Sequence, residues 1–236
     1  MSYNLLSFSN PKIQKSNKVY QDYLTAILHL HPISTKICPY QDIAGCKEAC
    51  LNTAGRGGIM KKGETTNVIQ EARKRKTKLY LEARDIFMSY LVTDITKFVN
   101  YCKKKDKLPC LRLNGTSDIQ WETIKIDDKN IFEMFPDVQF YDYTKIPTRK
   151  VDKHSNYHLT WSYSEANKKY SEYFKTIDYN IAVVFNGDMP IYFKGREVVN
   201  GDETDMRFFD KPNVVVGLKA KGKAKQDSSG FVIHTI

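Results

Sequence analysis

From residue 111 onward, a short apolar run ending in a polar, turn-prone step recurs five times. The runs are LRLNGTSD (111–118), VQFYDYTK (138–145), HLTWSYSE (158–165), IAVVFNGD (181–188) and VVVGLKAKG (214–222). The stretches between them are helical or irregular and mostly about 12 to 25 residues long, the length that a crossover between parallel strands requires. Strands spaced in this way predict βαβ units and a parallel sheet. With a first strand at residues 4–8 (Asn-Leu-Leu-Ser-Phe), the pattern fits an α/β fold, a parallel-stranded TIM-like barrel, complete or incomplete. An open doubly wound sheet is the competing arrangement. No Gly/Ser-rich linker or charge block divides the chain, so residues 1–236 read as one domain, with 187–212 an inserted loop or hairpin. In such folds ligands bind at the C-terminal ends of the strands, so the polar steps are the places to look for a site.

The helices are legible from apolar spacing. Ile86, Phe87, Tyr90, Leu91, Ile95, Phe98, Val99 and Cys102 keep one face apolar, and Lys103 to Lys105 suit its C-terminus. Residues 65–76 read as a basic helix capped by Thr65 or Thr66, and 164–175 as the helix between two later strands. Tyr20, Tyr23, Leu24, Ile27 and Leu28 predict a helix over about 17–29, ending before Pro32.

Composition bounds the setting. The chain has 236 residues, 41% of them hydrophobic, enough for a core. Its net charge of +10 favours a polyanionic partner, a nucleotide or nucleic acid before a neutral metabolite. No run approaches the roughly 20 apolar residues of a membrane helix, and the opening MSYNLLSFSNPKIQKSNK does not read as a signal peptide. Five cysteines do not make a disulfide framework in a chain this long, so a reducing, cytoplasmic setting is expected. Oligomeric state has no signature here.

Three of those cysteines, Cys38, Cys46 and Cys50, fall within thirteen residues in a loop-like segment near the N-terminus. Thiolates are soft ligands for iron–sulfur clusters and zinc. Three of them leave one cluster iron open to a substrate or to S-adenosylmethionine. With His29 or His31 as a fourth ligand they would instead close a structural zinc site. Reduced cysteines buried for packing alone are the third reading. Gly55, Arg56, Gly57 and Gly58 follow, a run able to approach a phosphate or carboxylate, or simply to turn. Arg73, Lys74, Arg75, Lys76, Lys78 and Arg84 form either a phosphate-binding face or a solvated one. Lys219, Lys221, Lys223 and Lys225 would share a face if their segment is a strand.

Arg112 and Asn114 alternate onto one face at the first strand end, and a buried arginine needs an anion: a ligand, Asp118 or Asp142. Ser117 and Asp118 follow on the loop, where binding residues gather. Tyr141, Asp142, Tyr143, Thr144 and Lys145, then Ser162, Ser164 and Asn167, then Asn186, occupy the next strand ends. Asp202, Glu203, Asp205 and Asp210 read as an exposed acidic loop or a magnesium site. His154, His158 and His234 are scattered, which disfavours a hydrolase triad; no catalytic residue is assigned.

Several segments together resemble an uncharacterised phage-encoded family, the "gene product eighty-eight" group. They are the Cys-x7-Cys-x3-Cys-Leu-Asn-Thr-Ala-Gly-Arg-Gly run from Cys38, the segment from Ala72 through Thr77 to Arg84, Arg112-Leu-Asn-Gly-Thr-Ser-Asp-Ile, and the Tyr141-Asp-Tyr-Thr-Lys step. The resemblance extends from about residue 30 to the C-terminus and implies the host cytoplasm as the place of action. More loosely, a three-cysteine loop ahead of a parallel α/β barrel is similar to radical S-adenosylmethionine enzymes, although their usual spacing is C-x3-C-x2-C. That similarity implies a [4Fe–4S] cluster on Cys38, Cys46 and Cys50, with S-adenosylmethionine on the open iron. Gly55 to Gly58, Arg112, Asn114, Ser117, Asp118 and Asp142 would then line the cofactor pocket. The alternative is a non-enzymatic nucleic-acid-binding or host-interaction protein with a zinc-bound or metal-free cysteine loop.

Overall fold

The computed structural model describes residues 4–8 and 11–235. In chain order the elements are β1 (Leu6–Ser7), α1 (Pro11–Val19), β2 (Tyr23–Leu28), α2 (Val68–Glu82), α3 (Arg84–Lys104), β3 (Leu108–Arg112), β4 (Lys125–Ile126), β5 (Lys129–Asn130), α4 (Ile131–Met134), β6 (Gln139–Thr144), β7 (Tyr157–Ser162), α5 (Lys168–Glu172), β8 (Asn180–Asn186), β9 (Tyr192–Phe193), β10 (Arg196–Asn200), β11 (Val215–Lys219) and β12 (Val232–His234). Ten strands form one sheet in the order β1-β2-β3-β6-β7-β8-β11-β10-β9, with β12 also on β8. From β2 to β10 every neighbouring pair is parallel; only β1 on β2 and β9 on β10 are antiparallel. Among the described residues no ladder joins the two edges.

The sheet nevertheless curls. Laid flat, six strand steps of about 4.8 Å would separate β2 from β10 by roughly 29 Å. Yet Lys15 on α1, which packs beside β2, donates to the Asp202 carbonyl only two residues past β10. The Ser16 hydroxyl accepts the Asp205 amide at 2.9 Å, and the Tyr20 and Phe209 rings stack at 4.2 Å. The two flanks therefore face each other across a concave surface.

Pleating divides the residues between the surfaces. On the convex side Ala26, Leu28, Leu111, Phe140 and Leu159 pack against Phe87, Leu91, Ile95 and Phe98 of α3. Burying each of the leucine, isoleucine and phenylalanine side chains is worth about 1.5–3 kcal/mol. Trp161, Ile181, Val183 and Val215 continue this layer against Tyr170 and Phe174. On the concave side Cys110, Tyr141 and Met206 meet Tyr20, Tyr23 and Phe208.

Several sequence expectations change here. Residues 23–28 are a strand rather than part of a helix: Leu24, Ala26 and Leu28 pack convex, while Thr25 and Ile27 align with Cys110 and Arg112 on the other face. A strand covered on both faces is apolar at positions that also satisfy helical spacing. The helix of this region lies earlier, over Pro11–Val19. Asn67, not Thr65 or Thr66, caps α2, accepting the amides of Ile69 and Gln70. The expected helix over 164–175 is a short α5 followed by a 3-10 turn. The insertion at 187–212 carries the β9–β10 hairpin, and its Asp205, Met206 and Arg207 are buried in the concave face. Lys219 ends β11, whereas Lys223 and Lys225 sit on the 3-10 turn Gly222–Gln226, so the lysines form no single strip.

Candidate functional site at the C-terminal mouth

After β2 the chain runs through residues 29–67 without a strand or α-helix. Local turns shape this segment: the Cys38 amide donates to Ser34, and that of Cys46 to Gln41. Gly45 holds φ +63°, and a Cβ there would stand 2.6 Å from the Ser229 hydroxyl, so only glycine fits. The Asp118 amide donates to the Ile37 carbonyl and ties the segment to the loop after β3.

These turns bring Cys38, Cys46 and Cys50 to one cavity of about 150 Å³. Its other walls are Arg112, Asn114, Ser117 and Asp118 from the loop after β3, Lys145 after β6 and Ser162 at the end of β7. All three cysteines are free thiols. The Cys50 sulfur accepts the Asn52 amide at 3.4 Å, and the Cys38 thiol points at the Thr116 carbonyl. Burial pushes all three thiols up, and at Cys38 the charge of Asp118 and the other two sulfurs push further. Lys145 opposes this at Cys46. The Lys145 ammonium rests on the carbonyls of Ser162 and Tyr163 and is brought down to about 8 by burial.

The polar wall is rigid because its groups are engaged. Asn114 Oδ1 accepts from the Ser117 hydroxyl, the Ile119 amide and the Trp121 indole, and its amide nitrogen donates to the Ile119 carbonyl. Asp118 accepts from the Thr144 hydroxyl at 2.8 Å, the Lys145 amide at 2.6 Å and Arg149 at 3.4 Å. Arg149 is fully buried and also grips Glu122 through two nitrogens, at 2.8 and 2.7 Å.

The anion for Arg112 is Asp205, at 2.8 Å, with the Tyr141 and Tyr143 hydroxyls also directed at that carboxylate. Asp118 and Asp142 do not take this role. Cys110 aligns with Gln139, so Arg112 shares the concave face with Tyr141 and Tyr143, while Asp142 lies on the opposite one. There Asp142 accepts from the Asn114 amide and the Tyr157 hydroxyl, out of reach of the cavity. The acidic loop is likewise not a magnesium cluster. Among the described residues the Asp202 carboxylate is paired with Lys221 and Asp210 with Arg207, and Glu203 accepts from Asn200.

The glycine run closes into a 3-10 turn, Gly55–Gly58. Asn67 donates to the carbonyls of Arg56, Gly57 and Ile59, and Gln70 to that of Gly57. Gly57 and Gly58 back onto the carbonyls of Asn52 and Thr53, with no room for a Cβ. Gly55, Arg56 and Gly57 line a second cavity of about 750 Å³, which shares Leu51, Arg112, Gly115 and Thr116 with the thiol cavity. His29 faces this second space and not the thiols.

Sequence reasoning missed Arg149 and Glu122 and read Asp205 as part of an exposed acidic loop or a magnesium site. No local signal marks their roles, since the ion pairs they form each span more than twenty residues. Among the described residues no three His, Cys, Asp or Glu side chains stand close enough to hold a single metal ion. No helix of the described residues is long and apolar enough to cross a membrane. Compared with known families, the chain matches the model described as Gene product 88 over residues 4–235. No curated protein and no solved structure matches.

Proposed function

The chain belongs to the gene product 88 family, and on that premise we propose that it is a phage-type, radical-S-adenosylmethionine-like protein whose Cys38, Cys46 and Cys50 hold a [4Fe–4S] cluster. The observation that carries the reading is the convergence of three thiols from one irregular segment on one cavity, at the C-terminal edge of a parallel sheet. The curled run of parallel strands is also what an incomplete barrel requires.

The donor set fits a cluster better than one ion. A single zinc needs every sulfur within about 2.3 Å of one point. A cluster takes each thiolate on a separate iron, and so accepts more widely spread sulfurs. The thiols also interact electrostatically, as neighbours on one small cavity do. When bound, such a cluster supplies one-electron chemistry to a ligand such as S-adenosylmethionine, the electron coming from an external one-electron donor.

The protein's own groups prepare the space. Lys145 sets positive charge beside Cys46, offsetting the charge that ligation places on the sulfurs. Arg112 stands at the threshold between the two cavities, held in orientation by Asp205. The Lys145 ammonium stands 4.2 Å from the centre of the Phe231 ring, a cation–π contact. The substrate class favoured by the charge is a nucleotide or nucleic acid. The second reading, a nucleic-acid-binding or host-interaction protein, would leave the thiols with zinc or nothing.

Protein purified without air, as wild type and as Cys46→Ser/Cys50→Ser, tests the reading by iron, sulfide and zinc content and visible absorption. Iron and sulfide in wild type and not in the variant are expected. No iron in either protein sinks the proposal. Zinc lost only in the variant reassigns the thiols to a structural role.

A further inference from the structure

We propose that the cavity of about 750 Å³ is a nucleoside-phosphate site, with the phosphates on Arg56, Arg73 and Lys76 and the nucleoside on the wall formed by α2 and β2. This deepens the reading above by naming its substrate class, and it rests on that reading's placement of ligands at the C-terminal mouth.

The charge of the cavity is one-sided. Lys15, Arg56, Arg73, Lys76, Arg112 and Lys221 line it, against Asp202 as the acid. Lys221 is held by the Asp202 carboxylate and Arg112 by Asp205, while Lys15 donates to the Asp202 main-chain carbonyl. Three further cations stand on the 55–58 turn and on α2. Arg73 donates to the main-chain and side-chain carbonyls of Asn52, at 3.1 and 2.9 Å, and has no carboxylate partner among the described residues. Arg56 lies exposed on the 3-10 turn, with no side-chain bond among the described residues. The Lys76 ammonium donates to the Leu5 carbonyl at 2.6 Å. Burial disfavours the charged forms of Arg73 and Lys76, bringing Lys76 down to about 8. A phosphate would offset that cost, because cations withdrawn from water gain most from an anion.

Phosphate alone does not account for the rest of the lining. Ile27, Leu51, Val68, Ile69 and Ala72 make an apolar wall. Val68 is 83% exposed and Leu51 49%, unusual for side chains whose burial is favourable. A base and sugar laid on this wall would cover them. Asn67 fixes the spacing of wall and cations, since one side chain caps α2 and holds the carbonyls of the Arg56 turn.

The Lys15–Asp202–Lys221 bridge ties α1 to the segments after β10 and β11 along one side of the cavity. That suits a single nucleotide better than a strand running through. The shared lining at Leu51, Arg112, Gly115 and Thr116 lets the nucleoside end reach the thiol cavity.

Calorimetric titration of the full chain with ATP, tripolyphosphate, adenosine and a twelve-nucleotide single-stranded DNA tests the assignment. ATP should bind more tightly than either of its parts and more tightly than the oligonucleotide. Arg56→Gln should weaken ATP about tenfold, and Arg56→Gln/Arg73→Gln about a hundredfold, the scale of one and two charge-assisted bonds. Lys225→Gln, outside the lining, should stay within twofold. The exposed Arg56 keeps the test valid if the double variant does not fold. Cys46→Ser/Cys50→Ser should also stay within twofold, so that a failed cluster and a failed nucleotide site are told apart. The assignment falls if ATP does not bind, or binds equally well to wild type and Arg56→Gln. It falls too if the oligonucleotide binds more tightly, or if ATP affinity is lost only in the cysteine variant.

Discussion

Replacing Arg149 with methionine should be among the most damaging single changes near the mouth. The guanidinium is fully buried, bonds both oxygens of Glu122, reaches Asp118 at 3.4 Å and donates to the Tyr157 hydroxyl at 2.7 Å. Methionine fills much of the volume but leaves two buried carboxylates without their cation. Removing one partner of a buried pair costs about 3–5 kcal/mol, mostly from the charge left behind. With a urea m-value of about 2.5 kcal/mol/M, a loss of about 4 kcal/mol lowers the midpoint by about 1.6 M. The sign with pH is fixed. Burial already raises Asp118, and Arg149 is the largest influence holding it down. In the variant the folded carboxyl would titrate above the unfolded one, so the variant recovers stability as pH falls and the deficit at pH 5 should be smaller than at pH 7. Arg149→Met/Glu122→Leu removes one abandoned charge and should regain a good part of the loss. The measurement is urea unfolding of the three proteins at both pH values. A deficit under about 1 kcal/mol, or a double variant no better than the single one, would refute the account of Arg149 as the counter-ion of this wall.

Two further outcomes follow from the same geometry. Burial raises Asp142 to about 7, so the folded protein keeps a proton that the unfolded chain releases near 4. Stability should therefore fall as pH rises from about 4 to 7, by up to about 4 kcal/mol, and Asp142→Asn should flatten that slope; parallel urea curves across the range would count against it. Asn67→Ala removes the cap of α2 and the three carbonyl bonds to the glycine turn, and should cost about 2 kcal/mol. Amide exchange at Ile69 and Gln70 should quicken; unchanged exchange there would show that the cap contributes little.

The sheet was readable because its central strands are short buried apolar runs that end in turn-prone polar steps, a signal contained within each segment. At Tyr23–Leu28 no such step was read, and burial on both faces imitated helical spacing. The grouping of Cys38, Cys46 and Cys50 was visible because proximity in sequence became proximity in space, with Gly45 permitting the turn between them. Asp205 was hidden for the opposite reason. It lies among Asp202, Glu203 and Asp210, and nothing in that acidic run says that Asp205 is fully buried in the concave face while Glu203 stays exposed. Only the curl, which depends on every strand at once, brings it to Arg112, 93 positions away in the sequence.

The two buried arginines divide the work of holding the mouth open. Arg112 and Asp205 sit on the concave face and bridge the first parallel strands to the segment after β10. Arg149, Asp118 and Glu122 fix the loops after β3 and β6. Neither pair needs a ligand for its charge, so the chain can assemble both walls before anything binds. Arg56, Arg73 and Lys76 differ, because their nearest bonds are to carbonyl oxygens or to nothing. The thiols differ as well. Burial and Asp118 keep Cys38 protonated unless a cation displaces the proton. The two buried arginines are therefore matched internally. Arg56, Arg73 and Lys76, the last with Asp94 nearby, form one set able to receive anions and the thiols one set of soft ligands, side by side across Arg112, Gly115 and Thr116. A chain that needed these residues only for packing would gain stability by pairing or removing the cations. Arg73 and Lys76 in half-buried positions and Arg56 exposed nearby, beside three thiols, are the physical reason for reading the mouth as a two-part binding site.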